Sequence, residues 1–461
     1  MTLVAGVDSS TQSVKIVIRD AETGQLLREG RASHPDGTEV DPKYWWEALQ
    51  SAIQQAGGLE DVAAIAIGGQ QHGMVALDSD GNVIRPALLW NDTRSAKEAK
   101  DLNSEIPAIA ELTGSSLVAS FTASKVRWLA DHESENAKRV AAICLPHDWL
   151  SWKLSGSKDI NDLFTDRSDA SGTGYFNPVT SEYLPDIFAS ALKSNQQVVF
   201  PRIISSREFG ATTESGMKIG AGAGDNAGAG FGIQAEEGDV IVSLGTSGTA
   251  FAISSTSTHD STGTIAGFAS ASGEFLPLVC TLNAARILDA ATTTLGVTHE
   301  RLGELALSSP AGAGGLTLLP YFEGERTPNR PDATGVLAGI TVGNSHPENI
   351  ARAYIEGMLC GLADAVDALE RAGVEIRRVF LVGGAAKNPA VSEIASALFS
   401  REVLVPPAGE YVANGAARQA AWALSGSATP PQWDLGEVTS VKAKPTPEVL
   451  VRYRALRDLT A

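Results

Sequence analysis

The sequence predicts an α/β protein built from two related halves. Two observations carry that prediction. Short apolar runs alternate with segments of helical periodicity along the chain, the pattern of sheets covered by helices. In addition, VAGVDSSTQSVKIVI (4–18) is matched by VIVSLGTSGTAFAIS (240–254): each is an apolar run, a turn of small polar residues and a second apolar run. The same hairpin used twice implies two related α/β domains, spanning 1–236 and 237–461.

The elements follow in order. Residues 3–20 read as strand–turn–strand. Asp41-Pro42 opens a helix over KYWWEALQSAIQQAG, because proline suits the first helical position after an Asp cap. VAAIAIGG (62–69) reads as a buried strand, MVALD and VIRPALLW as further strands, and the chain from Thr93 as helical. ASKVRWLADH (123–132) and PHDWLSWKLSG (146–156) are two more helices. After the second hairpin, 348–373 carries the period of a long, mostly buried helix, and 377–384 is a strand running into a Gly turn. NPAVSEIASALFS is a helix with Pro389 near its start. NGAARQAAWAL (414–424) is a small-residue helix suited to close packing, and a last helix covers 446–458.

Composition excludes several classes. The 461 residues are 43% hydrophobic and 20% charged, which describes a folded globular chain with ample core. A net charge of −18 argues against binding nucleic acid or an anionic membrane through bulk charge, but leaves room for a local phosphate site. The opening MTLVAGVDSS lacks the basic and apolar regions of a signal peptide. No apolar run approaches the ~20 residues that span a bilayer. Cys144, Cys280 and Cys360 are far apart and form no CxxC pair, so they read as buried small hydrophobes in a reducing cytoplasm.

Several polar turns are candidates for chemistry, and each also has a simpler structural account. GVDSSTQSVK (6–15) ends a buried strand on Asp8, followed by hydroxyls and Lys15. Its amides suit phosphate oxygens and Asp8 suits Mg²⁺ through water, although an ordinary hairpin turn has the same composition. LGTSGTAF (244–251) repeats that turn with Thr246, Ser247 and Thr249. VGGAAKNP (382–389) joins a strand to a helix, where glycines allow close approach and a helix N-terminus favours anions. In GGQQHGMVALD (68–78), His72 follows the carboxyl end of a strand, the place where α/β sheets bind ligands. WNDTRS (90–95) supplies Asn91, Asp92 and Arg94, with an internal Asp–Arg pair as the simpler account. TDRSDASGTGYFN (165–177) supplies Asp169. Finally, GAGAGDNAGAGFG (220–232) strips away every functional side chain except Asp225 and Asn226. A lone carboxylate in a narrow, flexible, closely packed Gly/Ala wall suits a general base; an Asp-Asn turn in a hinge is the alternative.

Taken together, these motifs resemble the FGGY family of carbohydrate kinases, in the family's order and over nearly the whole chain, from GVDSSTQSVK to ANGAARQAAWA. The resemblance implies two ribonuclease-H-like domains of the actin/Hsp70 ATPase type flanking a catalytic cleft, with sugar mainly on 1–236 and nucleotide mainly on 237–461. It implies Asp225 as the catalytic base and Asp8 as the metal-associated carboxylate. Thr11, Gln12, Lys15, Gly245, Thr246, Ser247, Gly383, Gly384, Ala385 and Asn388 would lie around ATP. Gln71, His72, Gly73, Asn226 and Asp169 would lie around the sugar. The GER-TP stretch (Gly324 to Pro328) also resembles a family motif. Gln70-Gln71-His72-Gly73 is similar to the Gln-Met-His-Gly loop of members acting on D-xylulose, with Gln71 in place of Met. LPHDWL (145–150) has His147 where the usual form has Lys. The activity implied is ATP- and Mg²⁺-dependent phosphorylation of D-xylulose, with another ketopentose or a pentitol as the alternative. The family-level expectation of assembly is a homodimer. A non-catalytic sugar or nucleotide sensor, and an ATPase using water as acceptor, are the readings from other classes.

Overall fold

The structure, a computed structural model, describes residues 1–460. It divides into two compact units. One gathers Met1–Ala235, Ser255–Leu276 and Gly409–Asp434; the other gathers Glu236–Ser254, Pro277–Ala408 and the chain from Leu435 on. The chain first passes between units at Ala235–Glu236. Two later segments, one of them the small-residue helix, return to the first unit.

The first unit is built on a twice-covered sheet. β1 (Leu3–Ser9) and β2 (Ser13–Asp20) form the expected antiparallel hairpin, with Gly6 opposite Val17 and Asp8 opposite Lys15. β3 (Leu26–Ser33) adds antiparallel to β2, and β4 (Val62–Gly69) lies parallel to β1 on its other side. Beyond β4 come β5 (Phe209–Thr212) and β6 (Lys218–Gly220), giving the order β5-β6-β4-β1-β2-β3. The short β7 (Ala223–Gly224) also runs parallel to β4.

Strand periodicity divides the side chains between two layers. Ala5, Val7, Ile16, Ile18, Ile65 and Ile67 join one core with Trp45 and Leu49 of α1 (Lys43–Gln55) and Trp149 and Leu150 of α2 (Pro146–Ser155). Val4, Val17, Ala64 and Ala66 join another with Ala413, Ala416, Ala417 and Ala420 of the small-residue helix, Tyr411–Ser425. Two further short helices, α3 (Arg167–Ala170) and α4 (Asp225–Gly232), belong to the same unit.

The Gly/Ala stretch around Asp225 is therefore a helix rather than a flexible wall. Glycine costs roughly 1 kcal/mol per position in a helix relative to alanine. The packing explains why it is kept. A Cβ on Gly232 would lie 2.0 Å from the Tyr411 carbonyl oxygen, and one on Gly415 would lie 1.9 Å from that of Gly228. On the sheet side, a Cβ on Gly6 would lie 1.9 Å from the Ala413 oxygen. The small-residue helix is thus in backbone contact with α4 and with β1.

The second hairpin repeats the first. β8 (Asp239–Leu244) and β9 (Gly248–Ala252) pair antiparallel, and β10 (Phe275–Thr281) adds to β9 over Leu278–Thr281. β11 (Arg378–Val382) lies parallel to β8, β12 (Val403–Val405) parallel to β11, and β13 (Thr439–Val441) antiparallel to β12. The order β10-β9-β8-β11-β12-β13 repeats, direction for direction, β3-β2-β1-β4-β6-β5. A long helix, α5 (Pro347–Arg371), covers this sheet along a buried face, and α6 (Pro389–Phe399) follows β11. At the sheet's far end, Arg378 grips buried Asp239 through Nε and Nη2, both at 2.6 Å, tying β11 to β8.

Two expectations change. VIRPALLW contributes only a two-residue strand, Ala87–Leu88: Pro86 lacks a donor, and Arg85 turns away to Glu39 and Glu133 at 2.7 and 3.0 Å. The helix expected from Thr93 begins at Ala96, because the Asp92 side chain first accepts the Arg94 N–H and guanidinium. The three cysteines are buried and free. No helix among the described residues is long and apolar enough to cross a membrane.

Gly415→Ala is expected to cost about 3 kcal/mol, because the methyl meets backbone that cannot step aside. Thermal unfolding should show a lowered midpoint. Gly343→Ala, where a Cβ meets nothing within 4 Å, should leave it unchanged.

Candidate active site

In the first unit, three parallel strands end together. Asp8 and Ser9 of β1 pair with Gly68 and Gly69 of β4, and these pair in turn with Ala223 and Gly224 of β7. Asp8, the loop after Gly69 and Asp225 therefore leave the sheet at one carboxyl edge, where open α/β sheets bind ligands.

Asp225 is half-buried as the first residue of α4. Its Oδ1 accepts the Asn226 N–H at 2.7 Å and the Asn226 amide at 2.9 Å. Burial pushes its carboxyl up to about 6; the Asn226 hydrogen bonds oppose this and the charge of Asp8 adds to it. The group is ionised at neutral pH, yet basic enough to take a proton. Asp8 accepts the Ser10 hydroxyl at 2.8 Å and faces Lys15 Nζ at 3.5 Å, while Lys15 reaches Glu410 at 2.6 Å. Burial also holds Asp8 above the usual carboxylate range, against the pull of Lys15. Nearby, Thr11 accepts the Trp90 indole N–H at 2.9 Å, and exposed Gln12 reaches Asp36.

The loop after β4 is sharply bent. His72 has φ +68°, left-handed backbone that a residue with a Cβ rarely adopts. Its Nδ1 lies 2.6 Å from the Gly172 carbonyl, which makes Nδ1–H the donor. Phe121 and Phe268 flank the imidazole at 4.9 and 5.6 Å, and Thr122 donates to the His72 carbonyl. Gly73 lies against Pro146, which a Cβ would approach to 2.6 Å.

Two residues expected at the sugar make inward contacts. Gln71 is turned inward: its amide donates to the Ser168 carbonyl at 3.0 Å, and its side chain lies where a Cβ on Gly224 would be, 2.7 Å away. Asp169 is fully buried on α3, 3.7 Å from His147 Nε2. The Asp92–Arg94 pair forms, as the simpler account of that segment had it.

The second unit places two turns side by side. Gly245 and Thr246 are exposed and Ser247 half-buried between β8 and β9. Gly383, with φ +100°, follows β11; a Cβ there would lie 2.4 Å from the Leu244 carbonyl oxygen, at the root of that turn. A Cβ on the exposed Gly384 would meet nothing within 4 Å, and Ala385 is half-buried. Asn388 caps α6, accepting the Ala390 N–H at 3.0 Å and donating to the His299 carbonyl at 2.9 Å. Its side chain is thus engaged in holding the turn. Buried Glu325, from the GER motif, accepts the Leu282 N–H at 2.6 Å and the Asn283 amide at 3.0 Å, which braces the segment after β10.

Sequence reasoning missed the partners supplied from afar. Glu410 is 395 residues from Lys15. Gln419 brackets Gly222 with bonds of 2.8 and 2.7 Å, steadying the strand that leads to Asp225. Phe121 and Phe268 carry no local signal of their contact with His72.

Comparison with known proteins identifies the family. The N-terminal domain of the FGGY family of carbohydrate kinases matches residues 3–232, and its C-terminal domain matches residues 240–424. The chain belongs to the FGGY family of carbohydrate kinases and has that family's two-domain, actin/Hsp70-like fold. It is similar to the xylulose kinase of Streptomyces coelicolor, with 41% identity over 441 residues, 92% of this chain and 88% of that protein. The xylulose kinase of Streptomyces rubiginosus is 40% identical over the same shares. In structure the chain resembles the xylulose kinase of Bifidobacterium adolescentis, with a TM-score of 0.92 and 46% identity over 99% of both chains.

If burial and Asp8 together set the Asp225 carboxyl, a carboxyl-resolved NMR titration will place its midpoint at about 6. Asp8→Asn will move that midpoint down, because a neighbouring negative charge is gone.

Proposed function

We propose that this chain transfers the terminal phosphoryl group of ATP to D-xylulose, giving D-xylulose 5-phosphate. The observation that carries the reading is Asp225: a half-buried carboxylate raised toward neutrality, at the edge where the His72 loop also emerges. It is supported by the similarity to xylulose kinases over almost the whole chain.

In this reading Asp225 accepts the proton of the primary C5 hydroxyl as that oxygen attacks the γ-phosphorus. The bond from phosphorus to the β,γ-bridging oxygen breaks, and ADP leaves. The Asn226 bonds hold the carboxylate in one rotamer. The His72 imidazole meets a sugar hydroxyl, and Gly73 lets the loop close on Pro146 beside it. The inward turn of Gln71 accounts for its replacing Met without touching the sugar: it acts behind the loop, on Ser168 and Gly224. The first unit thus supplies the sugar site. The second supplies the nucleotide site, with the Gly245–Ser247 turn and the amides at Gly383, Gly384 and Ala385 facing phosphate oxygens. The hydroxyl of Thr11, with Gln12 and Lys15, serves the terminal phosphate from the β1–β2 turn. Asp8 fits Mg²⁺ through water, since its oxygens already engage Ser10 and Lys15. When bound with ATP, the metal neutralises phosphate charge. The buried free thiols suit a reducing cytoplasm.

ADP release with Mg-ATP across D-xylulose, L-xylulose, D-ribulose, L-ribulose, xylitol, glycerol and no sugar is the test. A response to D-xylulose well above the others is expected. A response to another polyol would move the substrate, and sugar-independent hydrolysis would sink the kinase assignment. Asp225→Ala should lower turnover by about 10²–10⁴-fold while D-xylulose still binds in calorimetry. In the wild type, kcat/KM should fall as pH drops below about 6, because protonated Asp225 cannot accept a proton.

A further inference from the structure

Behind the strand leading to Asp225 lies a buried ionic cluster that the reaction above does not use. His147, at the start of α2, is fully buried with both ring nitrogens facing carboxylates. Nδ1 lies 2.7 Å from Asp148, and Nε2 lies 3.3 Å from Asp166 and 3.7 Å from Asp169. Among the described residues, His147 is the one cation within ion-pair distance of these three carboxylates. Arg167, next to Asp166 in sequence, turns its guanidinium to the carbonyls of Glu274 and Pro178. Burying this much negative charge unpaired is costly, so the imidazole is held as a cation. Burial opposes that charge, but Asp148 and Asp169 outweigh it and lift the imidazole well above its ordinary range. Burial also raises Asp169, against the pull of His147. The other titratable groups of this pocket are Asp225, beyond Asp169, and Cys144, Tyr175 and Tyr183, which burial keeps protonated.

The cluster touches the backbone that carries Asp225. A Cβ on Gly222 would lie 3.2 Å from the His147 imidazole, and one on Gly69 would lie 3.0 Å from the His147 Cβ. Asp166 caps α3 by accepting the Ser168 and Asp169 N–H groups at 2.8 and 3.0 Å. The Ser168 hydroxyl in turn accepts the Gly224 N–H, one residue before Asp225, at 3.1 Å. We propose that His147 is a positioning residue: as a cation between Asp148 and the Asp166–Asp169 pair, it clamps α2 and α3 onto Gly69 and Gly222–Gly224 and so fixes where Asp225 stands. This rests on Asp225 acting as the base.

The test compares His147→Gln with His147→Lys, which restores a cation. His147→Gln should lower kcat by about 10²-fold, the scale of a small misplacement of a reacting group, with the KM for ATP changed by less than about 2-fold. Deuterium exchange at 222–232 should quicken. His147→Lys should recover most of the turnover and the exchange protection. Should His147→Gln fail to fold, Asp169→Asn serves as the second variant and should quicken the same amides. Wild-type turnover in His147→Gln, or unaltered exchange in either variant, overturns the proposal. So does a stoichiometric divalent ion in the purified protein that Asp169→Asn loses, since the cluster would then be a metal site. If the wild type shows no sugar-dependent ADP release, the proposed function fails instead, and the exchange comparison still decides the positioning role.

Discussion

The direct contact between backbones in the first unit is the constraint on which the rest hangs. The small-residue helix lies with its main chain against β1 at Gly6 and against α4 at Gly228 and Gly232. Side chains cannot tune such a contact: the separation of helix, strand and helix is set by van der Waals radii. α4 is short and glycine-rich, so it has little stability of its own. It holds its place because the small-residue helix presses on it, and its first residue is Asp225. The Asp225 carboxylate inherits its position from a packing contact made almost wholly of atoms that every residue shares.

Electrostatically, the sheet edge of the first unit gathers negative charge in places of low polarity. Asp225 feels the charge of Asp8, and burial lifts both. One has a lysine beside it and the other has only an amide. Burial sets the amide-paired one at about 6, near the point where gaining a proton is cheap.

Much of this was legible in the sequence, for reasons that can be named. The paired hairpins declared themselves because strands buried on both faces need continuous apolar runs, and because Asp8 and Thr246 sit on corresponding turns. Asp225 stood out because its neighbours had been reduced to glycine and alanine. The meaning of that reduction was only half visible: close packing is legible in it, but not the helical form or the partner, a helix some 190 residues later in the sequence (Gly415 against Gly228). Gln71 and Asp169 are placed at the sugar by the family resemblance, and a motif does not say which way a side chain points. Gln71 turns in toward Ser168, and Asp169 toward His147. Glu410 and Gln419 were out of reach for the same reason as Gly415, since nothing local ties them to Lys15 or Gly222.

The return of the small-residue helix to the first unit also bears on how the protein is made. Gly6 meets Ala413 only after roughly 400 further residues have been synthesised, about 20–80 s at ordinary translation rates. Until then Val4, Val17, Ala64 and Ala66 have no Ala413, Ala416 or Ala417 to cover them. The N-terminal sheet therefore waits on the ribosome with one apolar face bare. Its keeping mostly to small side chains on that face, valines and alanines with Phe209 on the edge strand, limits how adhesive the unfinished chain is.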